Sequence, residues 1–526
     1  MAKYLSGAIS RRQLLRVASA AGISLGLPDF LKAAQADDSN SAGGTLTIGV
    51  LAPGAEIDPW ILADNSSVAV ACQVGEYLCL SYGQPVLKPV LATSWSANDK
   101  SDSWTFNIRQ GVKFSDGTSM TAHDVVTTFE RLVDPDNGTN GLEALGGVLS
   151  KGGAKAIDDY TVRFDLDAPN GNFPWLASSD NASALILPSS YQKGEFSKTW
   201  LGTGPFVMKS YLPNQRATFV RNPNYWGPKP ALEQVVFIFY QDEVAMTLGL
   251  QSKDVQCIGN FSPTNGAALI QNSTDYRVNS VHSYTCSPIL MRVDLDPLKD
   301  ARVRRAFALT LDRESLVKHL YSGYGQIGND SPFAPVFAST DSTVPQRTQD
   351  LDQAKALLAA ANYPMDYVLP IHVWDYDVNS KYAQVFQSSL QEVGVRTDLI
   401  VMNTEQFLGS DHFGSSPQLD SQVAMTASGS RGVPNIFLQS QLTSDGTRNT
   451  SHFRNSTYDS LYAQYVATSA LDAQKEIAGK IERLLLEETP GIWGFFEDYL
   501  TASLPNVSGV VQTAGGAIIL NDARVA

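Results

Sequence analysis

The chain has 526 residues, 43% hydrophobic and 17% charged, with a formal net charge of −14. That length exceeds what one hydrophobic core usually serves and predicts two or three domains. The acidic balance excludes the basic footprint that nucleic acid requires and disfavours an anionic membrane surface, although one Arg inside a cleft still suffices for an anionic ligand.

In chain order, the first feature is a charged "SRRQLL" at 10–15, followed by the weakly apolar "VASAAGISLGL" and a small-x-small "AQA" at 34–36. This is the layout of an export signal over 1–36, and the paired Arg11 and Arg12 with Leu14 and Leu15 behind them resemble a twin-arginine signal. The apolar run is too short and too rich in Ser and Gly for a membrane span. A mature chain starting near Asp37 and lying outside the cytoplasm is expected. It carries four cysteines, Cys72, Cys79, Cys257 and Cys286. An even number in an exported chain favours disulfides, and the short-loop pairing is Cys72–Cys79 with Cys257–Cys286. Zinc is disfavoured, because no Cys-x-x-Cys or His-x-x-x-His lies nearby.

"GGTLTIGV" at 43–50 reads as a first strand, and "SWTFNIRQGVKF" at 103–114 as another that turns Trp104, Phe106 and Ile108 to one side. Asp116-Gly117 marks a turn. Thr121 is placed to cap a helix "AHDVVTTFERLV", with Asp124 in its first turn. Ser115, Asp116, His123 and Asp124 are therefore the letters of a hydrolase triad within a strand-turn-helix corner. A Ser115/His123 hydrolase would need a third partner and an oxyanion hole, and no Gly-x-Ser-x-Gly elbow is present in the expected mature chain. No catalytic residue is expected.

Further on, "TVRFDLDAP" (161–169) is a strand, while "GTGPF" (202–206) and "RNPNYWGPKP" (221–230) are turn-rich. "YVLPIHVWDY" (367–376), a helix burying Ala383, Phe386, Leu390 and Val393 and closed by Gly394, and "RTDLIVM" form a βαβ unit. A parallel α/β sheet in the C-terminal half follows.

Together, "PVLATSWSANDKSDSWTFNIRQGVKFSDGTSMTAHDVVTTFERL", "GTGPFVM", "NPNYWGPKPALEQVVF" and "DARVRRAFALTLDRESLV" resemble the large solute-binding proteins of ABC importers, family 5, in order along nearly the whole mature chain. The resemblance implies a non-enzymatic α/β protein of the two-lobe periplasmic-binding-protein fold (type II, large cluster C class). The implied lobe I is 37–283 with an inserted subdomain near 85–205, lobe II is 284–490, and a return segment 491–526 completes lobe I. Such a protein closes on a small ligand like a hinged trap and delivers it to permease subunits at the inner membrane. A periplasmic monomer without cofactor or metal is expected.

The ligand is expected near "MTASGSRGVPN" (425–435), where Gly429, Ser430, Arg431, Gly432 and Asn435 offer amides, a hydroxyl and a guanidinium to an oxyanion. Trp374 and Tyr376 lie at the carboxyl end of a strand, where open α/β sheets bind ligands. Asn260, Phe261 and Ser262 precede the first crossing, and Tyr284 belongs to it. Peptide carriers of the family fix the ligand's ammonium with an Asp in lobe II, and the comparable loop here carries Ser-Arg-Gly. An opine or a sugar phosphate such as agrocinopine is the expected ligand, with an oligopeptide or dipeptide as the alternative and nickel disfavoured.

Overall fold

The computed structural model describes residues 44–526 apart from 55, 63, 82–85, 273, 377 and 411, and the side chain of residue 143. The export signal expected over 1–36 lies outside the described residues.

Thr45–Leu51 alternates as its sequence dictates, with Leu46, Ile48 and Val50 buried. It pairs in parallel with Gln234–Tyr240, whose Val235, Phe237 and Phe239 point to the core. On its other side lies Cys257–Phe261, then Phe495–Ser503 and Arg277–His282. Arg216–Arg221 and Phe206–Leu212 extend the opposite edge. This sheet is the centre of one lobe.

A second sheet of five strands has the order Arg396–Met402, Val368–Trp374, Val423–Met425, Ile289–Met291, Gly491–Ile492. Its first two strands are parallel and joined by the helix Asn379–Glu392. Tyr382, Ala383, Phe386 and Leu390 of that helix are buried against the sheet, and Gly394, with φ of 85°, ends it in the left-handed region. The chain passes between the two sheets twice, around Ser283–Ser287 and at Trp493–Gly494. The crossings are hydrogen-bonded to each other: the Glu497 amide donates to the Thr285 carbonyl at 2.7 Å, and the Ser283 hydroxyl to the Glu497 carbonyl at 2.7 Å. The result is a mixed α/β fold of two lobes.

A four-stranded antiparallel sheet, Ala92–Ala97, Ser103–Ile108, Thr161–Asp165 and Ala154–Asp158, is inserted into the first lobe. The corner at 112–126 lies in the chain between Ser103–Ile108 and Ala154–Asp158. Asp116 Oδ1 accepts from the Thr118 amide (2.9 Å) and hydroxyl (2.7 Å), which closes the turn. The helix Ala122–Leu132 begins with a full capping box between Thr121 and Asp124. Asp124 also accepts from the Ser189 amide at 2.8 Å. Both carboxylates are thus used by the backbone, and the His123 side chain is exposed on the outer face of the helix.

The four cysteines require a correction. All are free thiols, buried in apolar surroundings. Cys72 lies on the helix Asn65–Val74 with its Sγ 3.8 Å from the Tyr77 hydroxyl, while Cys79 points to the Pro174 carbonyl at 3.6 Å. Cys257 packs in the core of the first lobe, and Cys286 in a separate cluster with Tyr284, Phe437 and Trp493. Each thiol therefore serves as a small hydrophobe in its own packing environment. Burial pushes Cys72 and Cys257 up to about 12, far from the thiolate that disulfide exchange requires.

Candidate functional site

The "GSRG" loop owes its position to the first crossing. Cys286 and Ser428 exchange backbone hydrogen bonds of 3.1 and 2.9 Å, and the Tyr284 amide donates to the Ser430 hydroxyl at 3.2 Å. The Tyr284 ring lies beneath, fully buried and stacked on Phe437 with centroids 3.9 Å apart. The loop is therefore fastened to the hinge at its base, and Arg431 projects from a fixed support. Its Nη1 donates to the Ser430 carbonyl at 2.9 Å, which orients the guanidinium.

The inserted subdomain of the first lobe comes to meet it. Gly171 donates its amide to the Val466 carbonyl at 2.7 Å, and Asn172 donates through Nδ2 to Asn435 Oδ1 at 2.8 Å. Asp180 faces Arg431 and the Gly432 amide. Loss of solvent pushes its carboxyl up to about 7, against the opposing pull of Arg431, the Ser81 hydroxyl and the Gly432 amide. Its Oδ2 is buried without a hydrogen bond.

Two cavities open from this meeting point. The smaller, of about 20 Å³, lies toward the hinge, between Ser81, His282, Phe337 and Ser430. The larger, of about 350 Å³, lies between the inserted subdomain and the helices Asn435–Leu442 and Ser456–Ala467. Trp175, Asp180, Arg431 and Gly432 line both. They form the partition between a small recess and a wider chamber.

Of the residues expected from sequence, Ser430, Arg431, Gly432 and Asn435 line these cavities. Gly429 is exposed beside them, and Tyr284 supports the loop from behind. The others lie elsewhere. Trp374 stacks on Tyr376 (4.7 Å) and Phe407 (6.1 Å) and donates through Nε1 to Thr404, lining neither cavity. Asn260 Oδ1 accepts from the Leu500 amide at the bulge between two strands. Phe261 is core, and Ser262 donates to Glu243 at 2.7 Å. Sequence reasoning missed Trp175 and Asp180. Their local signal is a short helix, Phe173–Leu176, and a turn, with nothing to point to a ligand.

The strand-turn-helix corner and the two-lobed frame have counterparts in known proteins. The family model "Bacterial extracellular solute-binding proteins, family 5 Middle" matches residues 86–448. A curated relative, "Periplasmic murein peptide-binding protein MppA" of Escherichia coli (strain K12), is 26% identical over 464 residues, covering 83% of this chain and 84% of its own. Among solved structures, "Structure of HbpA2 from Haemophilus parasuis" superposes with a TM-score of 0.80 at 21% identity, covering 92% of this chain and 100% of the other. "Structure of the PBP AgaA in complex with agropinic acid from A.tumefacien R10" gives a TM-score of 0.70 at 20% identity, covering 92% and 99%. The chain belongs to the family 5 extracellular solute-binding proteins, and it is a periplasmic binding protein of ABC transport, not an enzyme.

Proposed function

We propose that the protein captures a small amino-acid-derived ligand between its lobes and delivers it to the permease of an ABC importer. One observation carries the ligand class: Arg431 from one lobe and Asp180 from the other face each other at the partition of the cleft. A carboxylate on the ligand takes the guanidinium in a bidentate pair, and an ammonium takes Asp180. Such a molecule exchanges one interaction across the lobes for two and holds the lobes together from both sides. Short peptides and opines both carry these groups, and the peptide-binding relative supports the former. A sugar phosphate such as agrocinopine uses Arg431 but brings a second anion toward Asp180, which that carboxyl tolerates only when protonated.

Thermal-shift screening of dipeptides, opines, sugar phosphates and nickel against the mature protein tests this. A ligand at about 100 times its dissociation constant adds about 2.7 kcal/mol of apparent stability. Zwitterionic peptides or opines are expected to raise the melting temperature. A shift with sugar phosphates alone, or with nickel alone, overturns the reading.

A further inference from the structure

The inserted subdomain also touches the second lobe away from the partition, through its loop 170–172. That loop is held firmly on its own side. The Asn170 carbonyl accepts from Trp104 Nε1 at 3.0 Å, and Asn170 Oδ1 accepts from the Asn172 amide at 2.9 Å. Phe173, next in the chain, is buried against Phe106 and Phe164. Between these anchors the Gly171 amide donates across the lobes to the Val466 carbonyl at 2.7 Å. Val466 lies in the last turn of the helix Ser456–Ala467, where carbonyls find no donor within the helix itself. The nearby Tyr465 and Thr468 carbonyls accept from Gln474 Nε2 of their own lobe, at 3.2 and 3.0 Å. Asn172 adds a second bond between the lobes, from Nδ2 to Asn435 Oδ1 at 2.8 Å. The approach is close: a Cβ on residue 171 would lie 2.1 Å from the Thr468 carbonyl oxygen. Gly171 and Thr468 line neither cavity.

We infer that loop 170–172 is a clasp that favours the closed arrangement of the lobes by the same amount for every ligand. Gly171 meets backbone atoms of the second lobe outside both cavities, so the chemistry of the ligand does not enter that contact. Apparent affinity scales with the fraction of the protein in the binding-competent state. The clasp therefore sets the strength of capture, while the residues lining the cavities set the choice of ligand. Glycine is needed at 171 for space. Its φ is not positive, so alanine suits the loop itself and collides with Thr468 only when the lobes meet. The inference rests on closure of the two lobes, not on the ligand class proposed above.

A distance measurement on the full mature chain, made without ligand, tests the clasp. Spin labels are placed through Lys151→Cys on the inserted subdomain and Glu476→Cys on the second lobe. The native side chains there are 68% and 73% exposed, and the four native thiols are buried. Double electron–electron resonance is expected to show a short-distance population that Gly171→Ala shifts to longer distances. Asn172→Ala keeps the amide that closes the loop's own turn, and is expected to reduce the short population in part. Circular dichroism checks the fold, and if Gly171→Ala does not fold, Asn172→Ala decides alone. Identical distributions with and without the clasp substitutions overturn the inference, as does a long distance alone in the protein with an intact clasp.

Calorimetry with glycyl-leucine and alanyl-alanine supplies the second arm. Gly171→Ala is expected to weaken both about tenfold or more and by the same factor, and Asn172→Ala by about twofold to tenfold. A changed ratio between the two dipeptides in Gly171→Ala would place residue 171 in ligand recognition and overturn the clasp. If neither dipeptide binds the unmodified protein, the amino-acid-derived reading fails, and the distance measurement still decides the clasp.

Discussion

Gly432 and Asp180, one from each lobe, meet where only a glycine fits: a Cβ on residue 432 would lie 1.7 Å from Asp180 Oδ2 and 2.3 Å from Cε3 of Trp175. The requirement is for space, since the nearest neighbour of a Cβ on Gly429 would be Arg431 Nη1 at 3.9 Å. Gly432→Ala is therefore expected to hold the lobes apart, and Gly429→Ala to leave them as they are. Small-angle scattering would show a larger radius of gyration for the first variant only. Its ligand affinity is expected to fall about tenfold or more, because closure is then opposed by steric overlap. Identical scattering and affinity in both variants would remove Gly432 from the closure contact.

Arg431 supplies the second prediction. Hydrogen bonds to charged groups contribute roughly 1.5–3 kcal/mol, so Arg431→Ala is expected to lower affinity by about one to two orders of magnitude. Arg431→Lys recovers little, because a point charge lacks the planar fork. Ser115→Ala and His123→Ala, in the strand-turn-helix corner, leave affinity unchanged. Calorimetry on the four variants is the check, and unaltered binding by Arg431→Ala defeats the cleft assignment.

The third prediction concerns pH. Burial pushes the carboxyls of Asp180 and Glu76 up to about 7 and that of Glu482 up to about 8, from ordinary values of 3.8 for Asp and 4.5 for Glu. Between about pH 4 and these raised values the native chain holds protons that the unfolded chain has released. Stability from these groups is therefore complete below about pH 4 and lost as pH rises through 7 to 8. Melting temperatures at pH 5.5 and pH 8 should show this loss, and Glu482→Gln should reduce it. A slope that Glu482→Gln leaves unchanged would show that this carboxyl does not contribute. A cationic ligand restores the charge on Asp180, so its affinity should rise from pH 5.5 to 7.5 with release of a proton.

The four thiols give the fourth prediction. Iodoacetamide without reductant should modify none of them in the native protein and all four in denaturant, as read by mass spectrometry. Each is enclosed and held protonated by its apolar surroundings. Unmodified cysteine pairs in the denatured, unreduced sample would restore a disulfide.

Export supplies the last prediction. Replacing Arg11 and Arg12 together by Lys should retain the precursor in the cytoplasm if the paired arginines are read as a twin-arginine signal. Fractionation of cells producing the double variant checks it, and normal export points to the general secretory route.

Much of the fold was legible before any coordinate. The alternation in Thr45–Leu51 and Ser103–Ile108, the Thr121–Asp124 cap and the βαβ unit closed by Gly394 all depend on residues a few positions apart. Local periodicity and capping carry their own physical reasons, so the sequence alone determined these elements, and with them the structural role of Asp116 and Asp124. It also singled out Arg431, because Gly-Ser-Arg-Gly is unusual chemistry in any context.

Tertiary structure alone decided what Arg431 faces. Asn172 and Asn435, which join the lobes beside it, are 263 residues apart, and no short-range pattern links them. Trp374 was equally ambiguous as a string of letters: it packs against Tyr376 and Phe407 and lines neither of the two cavities beside Arg431. The cysteines were decided in the same way, since Cys257 and Cys286 fold into different apolar clusters although they are near in sequence. Apolar burial is non-directional, so a hydrophobic residue or a thiol is compatible with many cores, and only the assembled lobes select one.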